Sequence, residues 1–343
     1  MELFSLPKRV RGKGSDEINF DTFDWTVFRG IPIVDKYIQT LKDYLWWTKL
    51  RLRAGYDLIH AHHPIAALAM KMLYPGTPVI ITIHSSYENE LLLNGRIKEG
   101  GPEQQFLTLI YRELENKMDR VITASYSFRQ YLLQHMSDAE RVVVIPNGFD
   151  EKRFRPTEHD NAIPQLITVC RLVPAKGLDI LLRACAEIKR RGHTYVLHMI
   201  GDGPIREELE QLANELGIYD DTIFYGYMLH PEQFMPFFDV FVLPSRAEAF
   251  GSVYAEAALC RLALIGTNVG GIAEQIEDGK NGLLVPVDDV DALADAIEKL
   301  IVDPALRQAL ARAAQEKAKK SYSLNRVISQ MKQLYGDYMP TQA

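Results

Sequence analysis

Short apolar runs of strand length alternate with longer helical segments along almost the whole chain, and the alternation stops once before starting again. In the first half the runs are 57–60, 79–83, 120–123 and 142–145, with helical segments at 65–73, 104–117 and 127–134 between them. The second half repeats the scheme: strands at 165–170, 195–200, 222–225, 240–243, 262–265 and 283–285, helices at 178–190, 205–216 and near 271–276, and two closing helices. Runs of Val, Ile and Leu without polar alternation are buried on both faces, and strands separated by helices pair in parallel. Between the halves, the polar stretch 155–164 carries two prolines and reads as a connection. At 343 residues the chain exceeds what one core usually serves. The expected fold is α/β: two Rossmann-like, doubly wound parallel-sheet domains facing across a cleft, over 1–150 and 151–322. A closing helix at 323–343 is expected to pack back toward the first domain. In such sheets ligands bind at the carboxyl ends of the strands.

Composition narrows the function. A formal net charge of -6 argues against nucleic acid or an anionic membrane as the main partner. The basic group Lys8, Arg9, Arg11 and Lys13 reads as a solvated loop. Cys170, Cys185 and Cys260 have no metal or redox spacing, and a reducing compartment fits them. No apolar run is long enough to span a membrane and no signal-peptide core opens the chain. The expectation is a cytoplasmic protein with at most peripheral contact at the inner membrane face. Ile38, Leu41, Leu45 and Leu52 follow helical spacing beside Trp46, Trp47 and several Lys and Arg. That segment reads as a core-packing helix with a cationic solvent side, in preference to an interfacial membrane helix.

The segment SRAEAFGSVYAEA, residues 245–257, follows a buried strand and opens a helix. Backbone N–H groups of Phe250, Gly251 and Ser252 then stand as unpaired donors at the positive end of a helix dipole, where a phosphate fits. Glu248 lies before the helix and Glu256 about five residues inside it, roughly 7 to 8 Å along the axis. That step suits a ribose behind a phosphate for Glu256 and a group on the far side for Glu248. Two surface acids at a helix start are the competing reading.

After the first strand of the second half, CRLVPAKG places Arg171 and Lys176 on one loop leading into a helix. Two cations there oppose the dipole unless an anion neutralises them, and a diphosphate does so with a planar fork and a point charge. A solvated pair of loop cations is the alternative. GDGP, residues 201–204, needs only a structural role as a turn with Pro204 near the helix start, and GGIAE, residues 270–274, is a glycine-rich approach or an ordinary helix entry. His60, His62 and His63 crowd a strand end without a partner set for zinc, so they face either the cleft or solvent. Neither G-x-G-x-x-G after a strand, nor a P-loop, nor a G-x-S-x-G elbow occurs.

In this order, RLVPAKG, GDGP, YGY, EAFGSVYAE, GGIAE and NGLLV resemble the nucleotide-sugar domain of the family 4 retaining glycosyltransferases, which have the GT-B fold. DLIHAHHP, ITIHSS and VIPNGFD are similar to landmarks of that family's acceptor-side domain. The resemblance runs from about Tyr56 to Tyr338. It implies that Arg171 and Lys176 hold the donor diphosphate with the amides of Phe250, Gly251 and Ser252, that Glu256 binds the ribose, and that Glu248 contacts the transferred sugar. His84 matches the cleft histidine that reaches that sugar from the other domain, a structural histidine at a strand end being the alternative reading. No metal and no cofactor are implied, the cations and the helix terminus standing in for a divalent ion. The implied reaction is transfer of a hexose from a UDP- or GDP-linked donor, with retention, to a hydroxyl of a glycan, lipid or small molecule. A cell-envelope glycan is one such acceptor. The family begins with a strand, a glycine-rich loop and a helix, whereas MELFSLPKR is similar to its second strand. The first domain is therefore expected to lack its N-terminal βα unit, and a nucleotide-sugar-binding subunit without turnover is the rival to an enzyme.

Overall fold

Each half of the alternation forms one parallel sheet. A computed structural model of the chain describes residues 31–51 and 55–338. The first sheet contains β1 (Ile59–Ala61), β2 (Val79–Ile83), β3 (Arg120–Thr123) and β4 (Val142–Val144), in that spatial order. The second contains β5 (Gln165–Val169), β6 (Val196–Ile200), β7 (Thr222–Gly226), β8 (Val240–Leu243), β9 (Ala263–Thr267) and β10 (Leu283–Val285). Its order is β10-β9-β8-β5-β6-β7. Every strand pair is parallel. The chain runs from β5 outward to β7, then returns to β8 on the other side of β5. The order therefore reverses between β5 and β8, and a crevice opens at their carboxyl ends. The two loops flanking that crevice are those that carry Arg171 and Lys176, and Glu248.

Helices of the first half are α1 (Pro32–Arg51), α2 (Pro64–Leu73), α3 (Tyr87–Leu93), α4 (Pro102–Lys117) and α5 (Tyr126–Leu132). The second half adds α6 (Leu178–Arg190), α7 (Arg206–Glu215), α8 (Ser252–Leu259), α9 (Ile272–Gln275), α10 (Val290–Val302), α11 (Pro304–Tyr322) and α12 (Leu324–Gly336). α1 buries Val34, Leu41 and Leu45 in the core of the first half, where α2 is its main neighbour. It is a packing helix over its described side chains, with Trp46 39% exposed. Leu52, like residues 1–30 on which the basic group and the N-terminal unit bear, lies outside the described residues.

Each sheet has its own core, and α12 belongs to the first by contact. Its Val327 and Leu334 pack with Ile80, Ile122 and Ile145. The crossing is fixed where Phe149 N–H donates to the Tyr322 carbonyl at 2.9 Å and Leu324 N–H to the Phe149 carbonyl at 3.0 Å. Cys185 and Cys260 are buried, and burial pushes both thiols up to about 12, as it does Cys170. They are small core residues rather than nucleophiles.

Two departures from the sequence reading matter. α3 was not expected, because its seven residues are too short for a helical period to show. α7 starts at Arg206, so Pro204 falls ahead of the helix rather than in its first turn. GDGP is held instead by close backbone approach: a Cβ on Gly201, at φ +140, meets the Cys170 carbonyl at 1.8 Å, and one on Gly203 meets Leu172 O at 2.2 Å.

Candidate active site

β5 and β8 end side by side, and their loops are tied together before either reaches the cleft. Residues Pro174–Lys176 form a 3-10 turn closed by Gly177 at φ +64. A Cβ there meets the Pro244 carbonyl at 2.1 Å, so only glycine lets the two loops touch. Arg246 completes the tie. Its backbone N–H donates to Ala175 O at 2.8 Å, and its guanidinium donates to Asp179 at 2.8 Å, Asp288 at 2.7 Å and Pro174 O at 2.5 Å. With two carboxylates already on it, Arg246 is a structural cation.

Lys176 and Glu248 meet at this junction. Lys176 Nζ pairs with Glu248 Oε1, and Ser245 Oγ donates to the same oxygen at 3.1 Å. Both side chains are mostly buried, at 18% and 13% exposure. The backbone of Glu248 is fixed as well, because Gly271 N–H donates to its carbonyl at 3.2 Å. Gly270, at φ +47, allows this: a Cβ there falls 1.8 Å from the Glu248 carbonyl oxygen. The glycine pair of GGIAE thus shapes the loop that carries Glu248.

Arg171 reaches the other way, across the cleft, to Glu90 on α3 of the first domain. Between these residues lies a cavity of about 340 Å³, lined by Arg171, Lys176, Arg246 and Glu248 on one side and by Ser86, Glu90 and Tyr131 on the other. Each of the two cations not used structurally is therefore paired with a carboxylate.

Phe250, Gly251 and Ser252 sit just past the cavity wall at Ala249, at the start of α8. Gly251 caps the helix at φ +80. Gln275 Nε2 donates to the carbonyls of Phe250 and Gly251, while no acceptor stands against the N–H groups of Phe250, Gly251 or Ser252 among the described residues. The loop's acceptors are satisfied and its donors are open, the arrangement an anion requires. Asn147, from the PNGFD stretch of the first half, donates to Ser252 Oγ at 2.9 Å.

Glu256 lies one turn further along α8, away from the cavity lining, beside Arg153 and Glu232. Burial pushes its carboxyl up to about 6, Glu232 adding to the effect and Arg153 opposing it. Arg153 is committed to Glu232 at 3.0 Å. His84 is placed in the first domain, at the end of β2. It faces a second cavity of about 270 Å³, and its Nε2 meets Nδ1 of His62 at 2.9 Å. Burial lowers the pKa of both rings. His60 is pushed down to about 4 by burial and by His62 and His84, with Thr82 at 2.8 Å on one nitrogen and Tyr335 of α12 at 2.5 Å on the other. His63 caps α2, accepting from Ile65 N–H at 3.2 Å. Of the three clustered histidines, His62 and His63 line the second cavity with His84, His63 also capping α2, while His60 is tied to α12.

The structure thus brings Arg171, Lys176 and Glu248 to one cavity, sets the Phe250 to Ser252 amides beside it, and leaves Glu256 and His84 in adjoining regions. Sequence reasoning missed Glu90 and the carboxylate of Glu274. A cap at Ser86 followed by acids at Glu88 and Glu90 is the signal that announces α3.

Residues 149–317 match the family model for glycosyl transferases group 1, and residues 11–153 match that for glycosyltransferase family 4. The chain is 30% identical to D-inositol 3-phosphate glycosyltransferase of Acidothermus cellulolyticus, over 77% of this chain and 64% of that protein. It is 35% identical to alpha-D-kanosaminyltransferase of Streptomyces kanamyceticus, over 50% of this chain and 45% of that one. The chain spans between about half and two thirds of the length of the first curated relatives it matches. Among solved structures it is similar to sucrose-phosphate synthase from Thermosynechococcus elongatus, with a TM-score of 0.78, 25% identity, and coverage of 88% and 79%. It is also similar in fold to Anabaena HepE in complex with UDP-glucose, with a TM-score of 0.74, 23% identity, and coverage of 87% and 82%.

Proposed function

Because this chain belongs to the group 1, family 4 glycosyltransferases and has their two-domain GT-B fold, we propose that it transfers a hexose from a UDP- or GDP-linked donor to a hydroxyl acceptor. The observation that carries this reading is the meeting of Arg171, Lys176 and Glu248 at the β5/β8 crevice, with the open amides of Phe250, Gly251 and Ser252 at its edge. A diphosphate leaving group takes the two cations from their carboxylates and accepts from the open amides. Glu248, released from Lys176, then accepts from hydroxyls of the transferred sugar. Glu256, whose carboxyl burial pushes up to about 6, is set to receive the ribose hydroxyls. His84 approaches the sugar from the first domain.

In the reaction, the bond from the anomeric carbon to the diphosphate oxygen breaks and the acceptor oxygen takes its place on the same face. The acceptor proton passes to the departing phosphate oxygen, which balances the charge developed there. Arg171, Lys176 and the α8 terminus stabilise the departing anion, so the proposed reaction is retaining and metal-independent. Relatives and neighbours whose names specify mannosyl transfer from GDP-mannose and complexes with UDP-glucose support a nucleotide-sugar donor.

The test is incubation with UDP- and GDP-linked hexoses and a panel of hydroxyl acceptors, with and without EDTA. Release of nucleoside diphosphate, unaffected by EDTA, with an anomerically retained product is the expected result. Binding of UDP or GDP without release from any donor turns the assignment to a binding subunit. Absence of both binding and release removes the reading altogether.

A further inference from the structure

Arg171 and Glu90 are the only charged pair that joins the two walls of the 340 Å³ cavity among the described residues. The proposed function takes Arg171 for the donor diphosphate, and the consequence for Glu90 follows from charge. While paired, Glu90 is satisfied at 26% exposure. Once a diphosphate draws Arg171 away, a partly buried carboxylate faces the cavity with no cation to answer it. Lys176 goes to the same diphosphate, and Arg246 is pinned by Asp179 and Asp288. The first-domain wall offers nothing positive either: Ser85, Ser86, Asn89, Ser127 and Tyr131 are its polar members beside Glu90. A partly buried carboxylate without a partner is costly, so whatever enters next must donate to it.

We propose that Glu90 is a specificity-determining residue for the acceptor: freed by donor binding, it accepts hydrogen bonds from hydroxyls of an uncharged polyol and turns away anionic acceptors. The inference rests on the reading of Arg171 as a diphosphate ligand. The pairing with Arg171 occupies Glu90 until the diphosphate arrives, so the carboxylate answers the acceptor only in the donor-bound protein. Charge also sets the acceptor class. An uncharged polyol supplies several O–H donors to one carboxylate, whereas a uronate or phosphate brings a second anion to a wall without a cation.

The substitution Glu90→Gln is isosteric and sits on a partly exposed helix face, so folding is retained. It removes the charge that competes for Arg171. UDP or GDP is expected to bind the variant about two- to fivefold more tightly, the scale of one partly exposed ion pair. With neutral sugars paired to their uronic acids as acceptors, the wild type is expected to favour the neutral member by roughly tenfold or more, and E90Q to lose most of that preference through a raised KM for the neutral sugar. Arg171→Gln serves as a second variant: it frees Glu90 in the absence of donor and weakens UDP or GDP binding. If E90Q binds UDP and GDP as the wild type does, or if the wild type favours the uronic acids, the assignment of Glu90 is overturned while the transferase reading stands. If the wild type binds neither UDP nor GDP, the proposed function itself fails, and the assignment of Glu90 with it.

Discussion

Glu274 of α9 caps a helix in the other domain: the backbone N–H groups of Tyr126 and Ser127, at the start of α5, donate to its two carboxylate oxygens at 2.9 and 2.6 Å. Beside it, Ser125 Oγ donates to the Ala249 carbonyl and accepts from Phe128 N–H at 3.0 Å. One carboxylate thus satisfies orphan donors of the first domain while its own helix follows the loop that positions Glu248. Glu274→Ala is expected to cost about 1–2 kcal/mol in denaturant unfolding, the range for a charged helix cap. It is also expected to enlarge the radius of gyration in small-angle scattering, as the domains separate more freely. Unchanged scattering with unchanged stability removes Glu274 as an interdomain latch.

The fold was legible because buried parallel strands and intervening helices write different periods, and 79–83, 120–123 and 240–243 were bounded as the structure has them. Cleft residues on the second half were legible too, since Arg171, Lys176 and Glu248 sit in loops at strand ends where charged residues have no packing reason to be. What stayed hidden depends on contacts between the halves. Glu90 and Glu274 each look like ordinary helix acids, favoured by a dipole, until the partner 81 residues from the one and 148 from the other is brought close. The glycines of GGIAE read as a glycine-rich approach or as a helix entry, and neither reading contains the contact by which the Glu248 carbonyl demands Gly270 at the cavity wall.

That carbonyl contact makes Gly270→Ala a sharp test of loop geometry. The new Cβ overlaps backbone, at 1.8 Å, and the residue must also hold φ +47. Neither can relax without moving Glu248. A loss of about 2–4 kcal/mol in stability is expected, from strain and overpacking together. Turnover is expected to fall further than UDP or GDP affinity, since Glu248 is displaced while Arg171 keeps its place. Near-wild-type turnover contradicts the role given to Glu248.

Lys176 and Glu248 separate binding from chemistry. Lys176→Met removes one of two diphosphate cations and strands a mostly buried carboxylate, so UDP or GDP affinity by calorimetry is expected to fall roughly tenfold to a hundredfold. Glu248→Gln keeps a hydrogen-bonding group of the same shape and frees Lys176. It is expected to bind UDP or GDP at least as well as the wild type and to lose turnover. Equal losses of affinity in both variants refute the division of roles.

Glu256 gives the pH dependence. Burial raises its carboxyl to about 6, so the folded chain holds this proton more tightly than the unfolded chain does. The favourable contribution is full below the unfolded value, near ~4.3, and is lost as pH rises through the folded value. Over that window the wild type forfeits about 2 kcal/mol at this site. Glu256→Gln cannot ionise, so its stability relative to the wild type is expected to improve by about that amount between pH 4 and pH 7, measured by urea unfolding. Ribose hydroxyls donating to the carboxylate favour its ionised form, which draws the folded value back down. UDP or GDP is therefore expected to bind the wild type more tightly as pH rises from 5 to 7, beyond the change seen for Glu256→Gln, which cancels the nucleotide's own titration. A stability difference that grows with pH, joined to identical pH profiles for nucleotide binding, would keep Glu256 as a buried acid and deny it the ribose.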